Sequence, residues 1–322
     1  MFRKTLAALA TLVACSVAFA QDYPHRTITI VVPFAAGGPT DTVTRLVAQS
    51  MTKTLGQTVI VENVAGAGGT IGTNKVAKAT PDGYTLLLFH IGISTAPALY
   101  RNLPFNPLTD FEYLGLITDV PMTFIGRKDF PPKDMKELIA YVKANKDKVT
   151  YANAGLGAAS HLCGMLLMAA IQTDVTTVPY KGTGPAMADL IGGQVDFMCD
   201  QTTNTIPQIK GGKVKGYAVT TPARVNVLPD LPTVQEAGIK DFHVGVWHGL
   251  YAPKGTPKPA LAKLNAALRA ALKDPAVISK FADLGTVPVP ESLCTPEAHA
   301  KHLKAEIEKW GPIIKKAGVY AD

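Results

Sequence analysis

TITIVVPFAAGGPTDTVTRLVAQSMTKTL, residues 27–55, carries the pattern from which the fold of this chain is read. Residues 27–32 are a β-branched run. Residues 33–41 are rich in turn formers. From Asp41 to Leu55 the apolar residues Val43, Leu46, Val47, Met51 and Leu55 recur at helical spacing. Strand, glycine turn and helix in that order are the unit from which α/β sheets are assembled.

The unit repeats along the chain. Further strands are expected over residues 59–62, 84–89, 149–153, 175–180, 195–199, 215–220 and 247–253. Helices are expected over 72–79, 131–145, 158–171, 185–190, 205–211, 259–272, 276–284 and 296–317. The 84–89 run is almost wholly apolar, as in a sheet covered on both faces. Val120-Pro121 separates two such sets, and about 300 residues beyond a leader favour two domains. The expected organisation is a two-domain α/β fold. Residues 21–123 with 248–322 form a discontinuous first domain, residues 124–247 the second, and two strands cross between them as a hinge.

Residues 1–20 read as a secretory leader. Arg3 and Lys4 precede an apolar stretch from Leu6 to Val17, and Ala18-Phe19-Ala20 gives a cleavage pattern that puts the mature start at Gln21. A competing reading takes Leu12-Val13-Ala14-Cys15 as a lipobox with Cys15 lipid-anchored; both lead out of the cytoplasm, to the periplasm. The formal charge of +7 becomes +5 once Arg3 and Lys4 leave, a balance that attracts anions. The lysines are dispersed, which argues against nucleic acid. The histidines do not cluster and no metal-ligand spacing occurs, so no metal site and no cofactor are expected.

Four glycine-rich turns lead from strands into helices: PFAAGGPTD (33–41), NVAGAGGT (63–70), NAGLGAASH (153–161) and YKGTGP (180–185). Helix N-termini offer unpaired N–H groups and a partial positive charge, and in open α/β sheets such ends gather at the ligand crevice. Enzyme signatures are missing. There is no P-loop and no G-x-S-x-G elbow, and neither Gly66-Ala-Gly68 nor Gly155-Leu-Gly157 has the third glycine of a dinucleotide fingerprint. Ser160 and His161 are helix neighbours that point apart. No catalytic residue is assigned.

PFAAGGPTD (33–41), NVAGAGGTIG (63–72), PDGYTLLL (81–88), ANAGLGAASHL (152–162), VPYKGTGPAMADLIGGQVD (178–196), LPDLPTVQEAG (228–238) and APKGTP (252–257) together resemble the Bug family, the extracytoplasmic receptors of tripartite tricarboxylate transporters. The resemblance covers essentially the whole mature chain. It implies a two-domain Venus-flytrap fold, a ligand carboxylate held by loops 33–41 and 63–70, partly through ordered water, and delivery to membrane permease subunits. It also implies a tricarboxylate, dicarboxylate, acidic amino acid or aromatic carboxylate as ligand. Signalling to a sensor kinase from the same cleft is the alternative, and a monomer is expected. The segments at 90–94 and 200–204 are less typical of the family and are where ligand identity is expected to be set.

The candidate ligand contacts are therefore Phe34, Ala35, Gly37, Gly38, Thr40 and Asp41 in the first turn and Ala67, Gly68 and Gly69 in the second. His90, Ser94, Asn153, Ala158, Ala159, Ser160, His161, Thr183, Asp200 and Asn204 complete the set, with Phe89 and Trp247 as apolar lining. Structural readings stand beside these. Asp41 and Ser160 sit where helix caps belong; His90, His161, Phe34 and Trp247 read equally well as core. Lys181 reads as solvated or as facing an anion. Asp200, if it faces the cleft, favours an amine or hydroxyl over a second carboxylate. Cys163 in the first turn of a helix and Cys199 at a strand end are expected to meet at one sheet edge as a disulfide, leaving Cys294 free.

Overall fold

A computed structural model describes residues 23–320. The leader, Gln21 and Cys15 lie outside the described residues. The chain forms one mixed nine-stranded sheet with helices against it, in two halves. In the first half β1 (Ile28–Val32), β2 (Val59–Asn63) and β3 (Thr85–His90) run parallel. They alternate with α1 (Pro39–Leu55), α2 (Thr70–Ala77) and α3 (Gly92–Leu99). Side chains alternate between two cores, as period 2 demands. Ile28, Ile30, Leu86 and Leu88 pack with Val43, Val47 and Met51 of α1. Val31, Leu87 and Phe89 face the opposite core. Because both faces are covered, these strands read as unbroken apolar runs.

One strand serves both halves. β4 (Phe111–Arg127) is 17 residues long. Its residues 111–121 pair antiparallel with β9 (Gly245–Pro253), and its residues 122–127 lie between β7 (Phe197–Gln201) and β8 (Val214–Val219). The second half continues through β5 (Thr150–Asn153) and β6 (Thr176–Pro179), with α4 (Met135–Ala144), α5 (Ala159–Ile171), α6 (Thr183–Ile191) and α7 (Thr202–Lys210). The chain then returns through β9 to α8 (Lys258–Lys273), α9 (Pro275–Asp283) and α10 (Pro296–Ala317) in the first half.

The partner change in β4 falls at Pro121–Met122, and the returning chain crosses beside it. The Thr220 hydroxyl donates to the Val244 carbonyl at 2.6 Å, one residue before β9 begins. β4 and α3 are absent from the sequence reading. In β4, register shifts between Tyr113 and Gly115 and between Leu116 and Thr118 break the period of two. Pro121 reads as a boundary because it has no ladder donor, yet it sits where the strand leaves one partner for others.

The Cys163–Cys199 disulfide ties α5 to β7, and Cys294 is free and buried. Among the described residues, no helix is long and apolar enough to cross a membrane.

Candidate functional site

The two halves meet around a narrow cavity of about 20 Å³. Its wall comes from four junctions where the chain enters a helix. Phe34, Ala35, Gly38, Pro39, Thr40 and Asp41 belong to the start of α1, and Ala154, Ala158, Ala159 and Ser160 to that of α5. Thr183 opens α6, and Asp200 and Gln201 precede α7; His90, at the end of β3, completes the wall.

All four helices start without a side-chain cap. Their first-turn N–H groups are therefore not taken up by their own N-cap residues. Of the other helices, α4, α9 and α10 are capped by Asp134, Asp274 and Thr295, while α2, α3 and α8 also start without a side-chain cap; what sets the four apart is that their starts reach the cavity. Four uncapped N-termini carry partial positive charge to one place. No lysine or arginine lines the space.

Asp41 does not cap α1. The N-cap is Gly38, and Asp41 lies three residues into the helix. One carboxylate oxygen accepts from the Gly37 N–H at 3.0 Å and from Arg45 Nε at 2.9 Å; the other accepts from Asn63 Nδ2 at 3.0 Å. Burial works against the charge, but these bonds from Arg45, Gly37 and Asn63 hold the carboxyl below its usual range. Asn63 also donates to the Phe34 carbonyl, so Asp41 and Asn63 together fix the turn's shape. Ser160 is likewise not a cap: its Oγ accepts from the Ala154 N–H at 2.9 Å and shapes the turn before α5.

His90 and His248 are both buried and both neutral. The Gly92 N–H donates to His90 Nδ1 at 3.0 Å, so the proton of the neutral ring is on Nε2. Burial, with the neighbouring His248, holds the His90 pKa well below its ordinary value. Phe34 stacks on the His90 ring at 4.8 Å. His248 Nδ1 donates to the Val246 carbonyl at 3.0 Å, leaving Nε2 to accept a long, 3.4 Å bond from the Thr40 hydroxyl. Thr40 therefore turns an oxygen lone pair, rather than its proton, toward other partners.

Asp200 is the chemical opposite of Asp41. It is 1% exposed, and the donors around it are neutral: Asn204 Nδ2 at 2.6 Å, the Gln201 backbone and Thr183. Burial dominates and pushes its pKa up to about 6. Beside it, Gln201 Oε1 is buried without a hydrogen-bond partner. Both residues sit at the end of β7, opposite Thr123 and Met122, next to the point where β4 changes partners.

Of the expected contacts, Phe34, Ala35, Gly38, Thr40, Asp41, His90, Ala158, Ala159, Ser160, Thr183 and Asp200 are brought together on the wall. Gly37, Ala67, Gly68, Gly69, Ser94, Asn153, His161 and Asn204 are not. Gly37 gives its N–H to Asp41. Gly68 and Gly69 pack behind the wall, Gly69 against the Phe89 and Phe34 rings and Gly68 against the Leu156 carbonyl, while Ala67 is exposed. Ser94 donates within its own turn to Ile91, and Asn153 accepts from the Gly155 N–H. His161 is turned toward the Gly157 N–H, and Asn204 supports Asp200.

Trp247 belongs to the core instead. It points to the face of β9 opposite His248 and donates Nε1 to Glu306 of α10 at 3.1 Å. Pro39, Ala154 and Gln201 were not foreseen. For Gln201 the signal was present, since the expected set skipped from Asp200 to Asn204 across the residue that ends the strand. No group of three or more His, Cys, Asp or Glu among the described residues is arranged to hold a metal ion.

Comparison with known proteins fits this geometry. Residues 43–319 match the family described as Tripartite tricarboxylate transporter family receptor. A protein of Agrobacterium vitis, named for the TAR-I ttuE-ttuC' intergenic region, is 59% identical over 94% of this chain and 88% of its own. The periplasmic binding protein BugD superposes with a TM-score of 0.91 at 57% identity, covering 93% of this chain and 100% of that one. MatC from Rhodopseudomonas palustris, solved with bound malate, gives 0.88 at 45% identity over 91% of this chain and 100% of its own. Rpa4515 of R. palustris, solved with adipate, gives 0.88 at 33% identity over 93% and 99%. A family match over most of the length, a two-domain periplasmic-binding fold and a cavity walled by helix N-termini agree: the chain belongs to the receptors of the tripartite tricarboxylate transporter family, which are solute-binding proteins and not enzymes.

Proposed function

We propose that this receptor captures a small dicarboxylate that also carries a hydrogen-bond donor, and delivers it from the periplasm to the membrane permease subunits of its transporter. The observation that carries this reading is the convergence of four uncapped helix N-termini on a cavity without lysine or arginine. Uncharged donors of this kind suit carboxylates, whereas phosphate recruits basic side chains as well. The donors lie on opposite walls. The start of α1 and His90 Nε2–H face one carboxylate; the starts of α5 and α6 face the other.

Between them the wall offers acceptors. Asp200 has no cationic partner among its neighbours, and Gln201 Oε1 has no partner at all. Buried acceptors left unpaired are costly, so a ligand that brings its own donor is favoured over a plain diacid. Malate, the ligand bound in MatC, has such a hydroxyl; adipate, bound in Rpa4515, lacks one. Residues 21–123 with 248–322 and residues 124–247 act as the two bodies, opening about the paired crossings and closing on the ligand.

Calorimetry with malate, succinate and adipate tests the reading. Malate is expected to bind roughly 5- to 30-fold more tightly than succinate, the worth of one or two well-made hydrogen bonds. Succinate or adipate binding as tightly as malate would sink the donor-bearing ligand. No heat from any carboxylate in a broad panel would sink the receptor reading for this cavity.

A further inference from the structure

Outside the cavity wall, the two bodies touch through a second set of groups that no ligand contact requires. Thr95 of α3 is fully buried, and its Oγ1 lies 2.8 Å from the Gly157 carbonyl across the cleft, against 3.0 Å to the Gly92 carbonyl in its own helix. Tyr100, just past α3, places its hydroxyl between two carbonyls, Ala67 at 2.7 Å in its own body and Leu156 at 3.0 Å in the other. Burial pushes the Tyr100 pKa up to about 12, so it remains a proton donor at every working pH. The backbones interlock here. A Cβ at Gly68 would lie 1.9 Å from the Leu156 carbonyl oxygen, and one at Gly157 would lie 2.9 Å from Leu99 Cδ1. None of these residues lines the cavity.

We propose that Thr95 and Tyr100 form a latch that sets how readily the two bodies close, and hence the affinity for every ligand alike. The hydroxyls form bonds to the second body only in the closed form. They shift the open–closed equilibrium by their own free energy and leave the choice of ligand to the cavity wall. Both are positioning residues, acting through closure, and the close approach of the two bodies beside them accounts for the glycine at position 68. Only a residue without a side chain lets Gly68 approach the Leu156 carbonyl.

The test needs no ligand. Cysteines are introduced at Ala36 and Lys181, exposed residues on facing loops where the Ala35 N–H donates to the Lys181 carbonyl at 2.9 Å. A short bifunctional thiol reagent then bridges the pair only when the bodies close, and the capture rate reports the closed population. Thr95→Val and Tyr100→Phe are each expected to slow capture about fivefold, and the double variant by more than tenfold. Thr95→Ser, which keeps the hydroxyl, restores the rate.

Rates within twofold of the parent in the double variant would overturn the latch, as would Thr95→Ser behaving like Thr95→Val. A second arm rests on the dicarboxylate reading. Dissociation constants for malate and succinate should rise in the double variant by one common factor, with their ratio unchanged; a changed ratio also overturns the proposal. If neither diacid binds the parent, the functional reading fails while the capture rates still decide the latch.

Discussion

Two aspartates on the same cavity wall face opposite circumstances. Asp41 is held by Arg45, Asn63 and the Gly37 N–H, and stays ionised below the usual carboxylate range. Asp200 meets neutral donors only and is pushed up to about 6. The first charge is spent on the protein: both oxygens are occupied in fixing the turn before α1. The second meets nothing cationic in the chain, and the proposed function assigns it to the ligand. Proximity to a site therefore does not define a recognition residue; the partners already engaged do.

The largest break of that comparison is covalent. The half that holds Asp200 is pinned by Cys163–Cys199, which joins α5 to the strand ending in Asp200 and Gln201. The sulfurs close a loop with a sequence separation of 36. The chain-entropy model gives such a loop about 3–4 kcal/mol. Cys163→Ser with Cys199→Ser is expected to lower unfolding free energy by about that amount in a urea titration. A loss below about 1 kcal/mol would mean that hydrogen bonds such as the one from Tyr151 to the Ser160 carbonyl hold this wall unaided.

The equivalent brace in the other half is Asp41. Asp41→Ala removes a charged acceptor of three hydrogen bonds and leaves the Arg45 guanidinium without that partner. A cost of about 2–3 kcal/mol is expected, together with weaker binding of every diacid. If binding falls while stability is unchanged, Asp41 touches the ligand itself and the contrast with Asp200 dissolves.

The histidines extend the contrast beyond the wall. His248, near Thr40, and His299, near the start of α10, are both buried, and burial lowers each to about 3. Their folded values lie below the unfolded 6.5, so their neutral forms are native. The stability this represents is complete above about pH 6.5 and is lost as the pH falls from there toward 3. Each contributes a slope of about 1.4 kcal/mol per pH unit in that window. Both His299 ring nitrogens lack partners, so His299→Leu should remove one such slope without affecting ligand affinity. An unchanged slope from pH 6 to 4 would refute this.

Much of this was legible from sequence for a physical reason. Glycine turns that join strands to helices are local, and three of the four expected turns supply the wall. The α/β alternation is local too. What stayed hidden depends on register. β4 hides behind two register shifts and Pro121. The face of Trp247 depends on its parity with His248 in β9, and nothing in the residues around it fixes that parity. The role of Gln201 depends on where β7 ends, one residue beyond an aspartate that already looked sufficient. The place of Gly68 behind the wall depends on how far the second body's 155–157 turn reaches, which no local pattern encodes.

The smallest expected effect probes the second aspartate most directly. Asp200 is raised to about 6 in the fold, against about 3.9 unfolded. Its contribution to stability is fully present below about pH 4 and is lost as the pH rises through 6. At pH 8 the ionised carboxylate therefore opposes folding by about 3 kcal/mol. Asp200→Asn keeps an acceptor and the shape but not the charge. It is expected to raise unfolding free energy by about 1 kcal/mol at pH 8, part of the gain being offset by an amide N–H₂ facing the donors of Asn204 and Thr183. The gain should vanish by pH 4, where the parent is already neutral. In binding, the variant should lose most of the preference for malate over succinate, because an amide oxygen is the weaker acceptor for the ligand hydroxyl. Equal stability of parent and variant at pH 8 would mean that the four helix N-termini already stabilise the charge. Asp200 would then resemble Asp41, and its role in reading the ligand would have to be reassigned to Gln201.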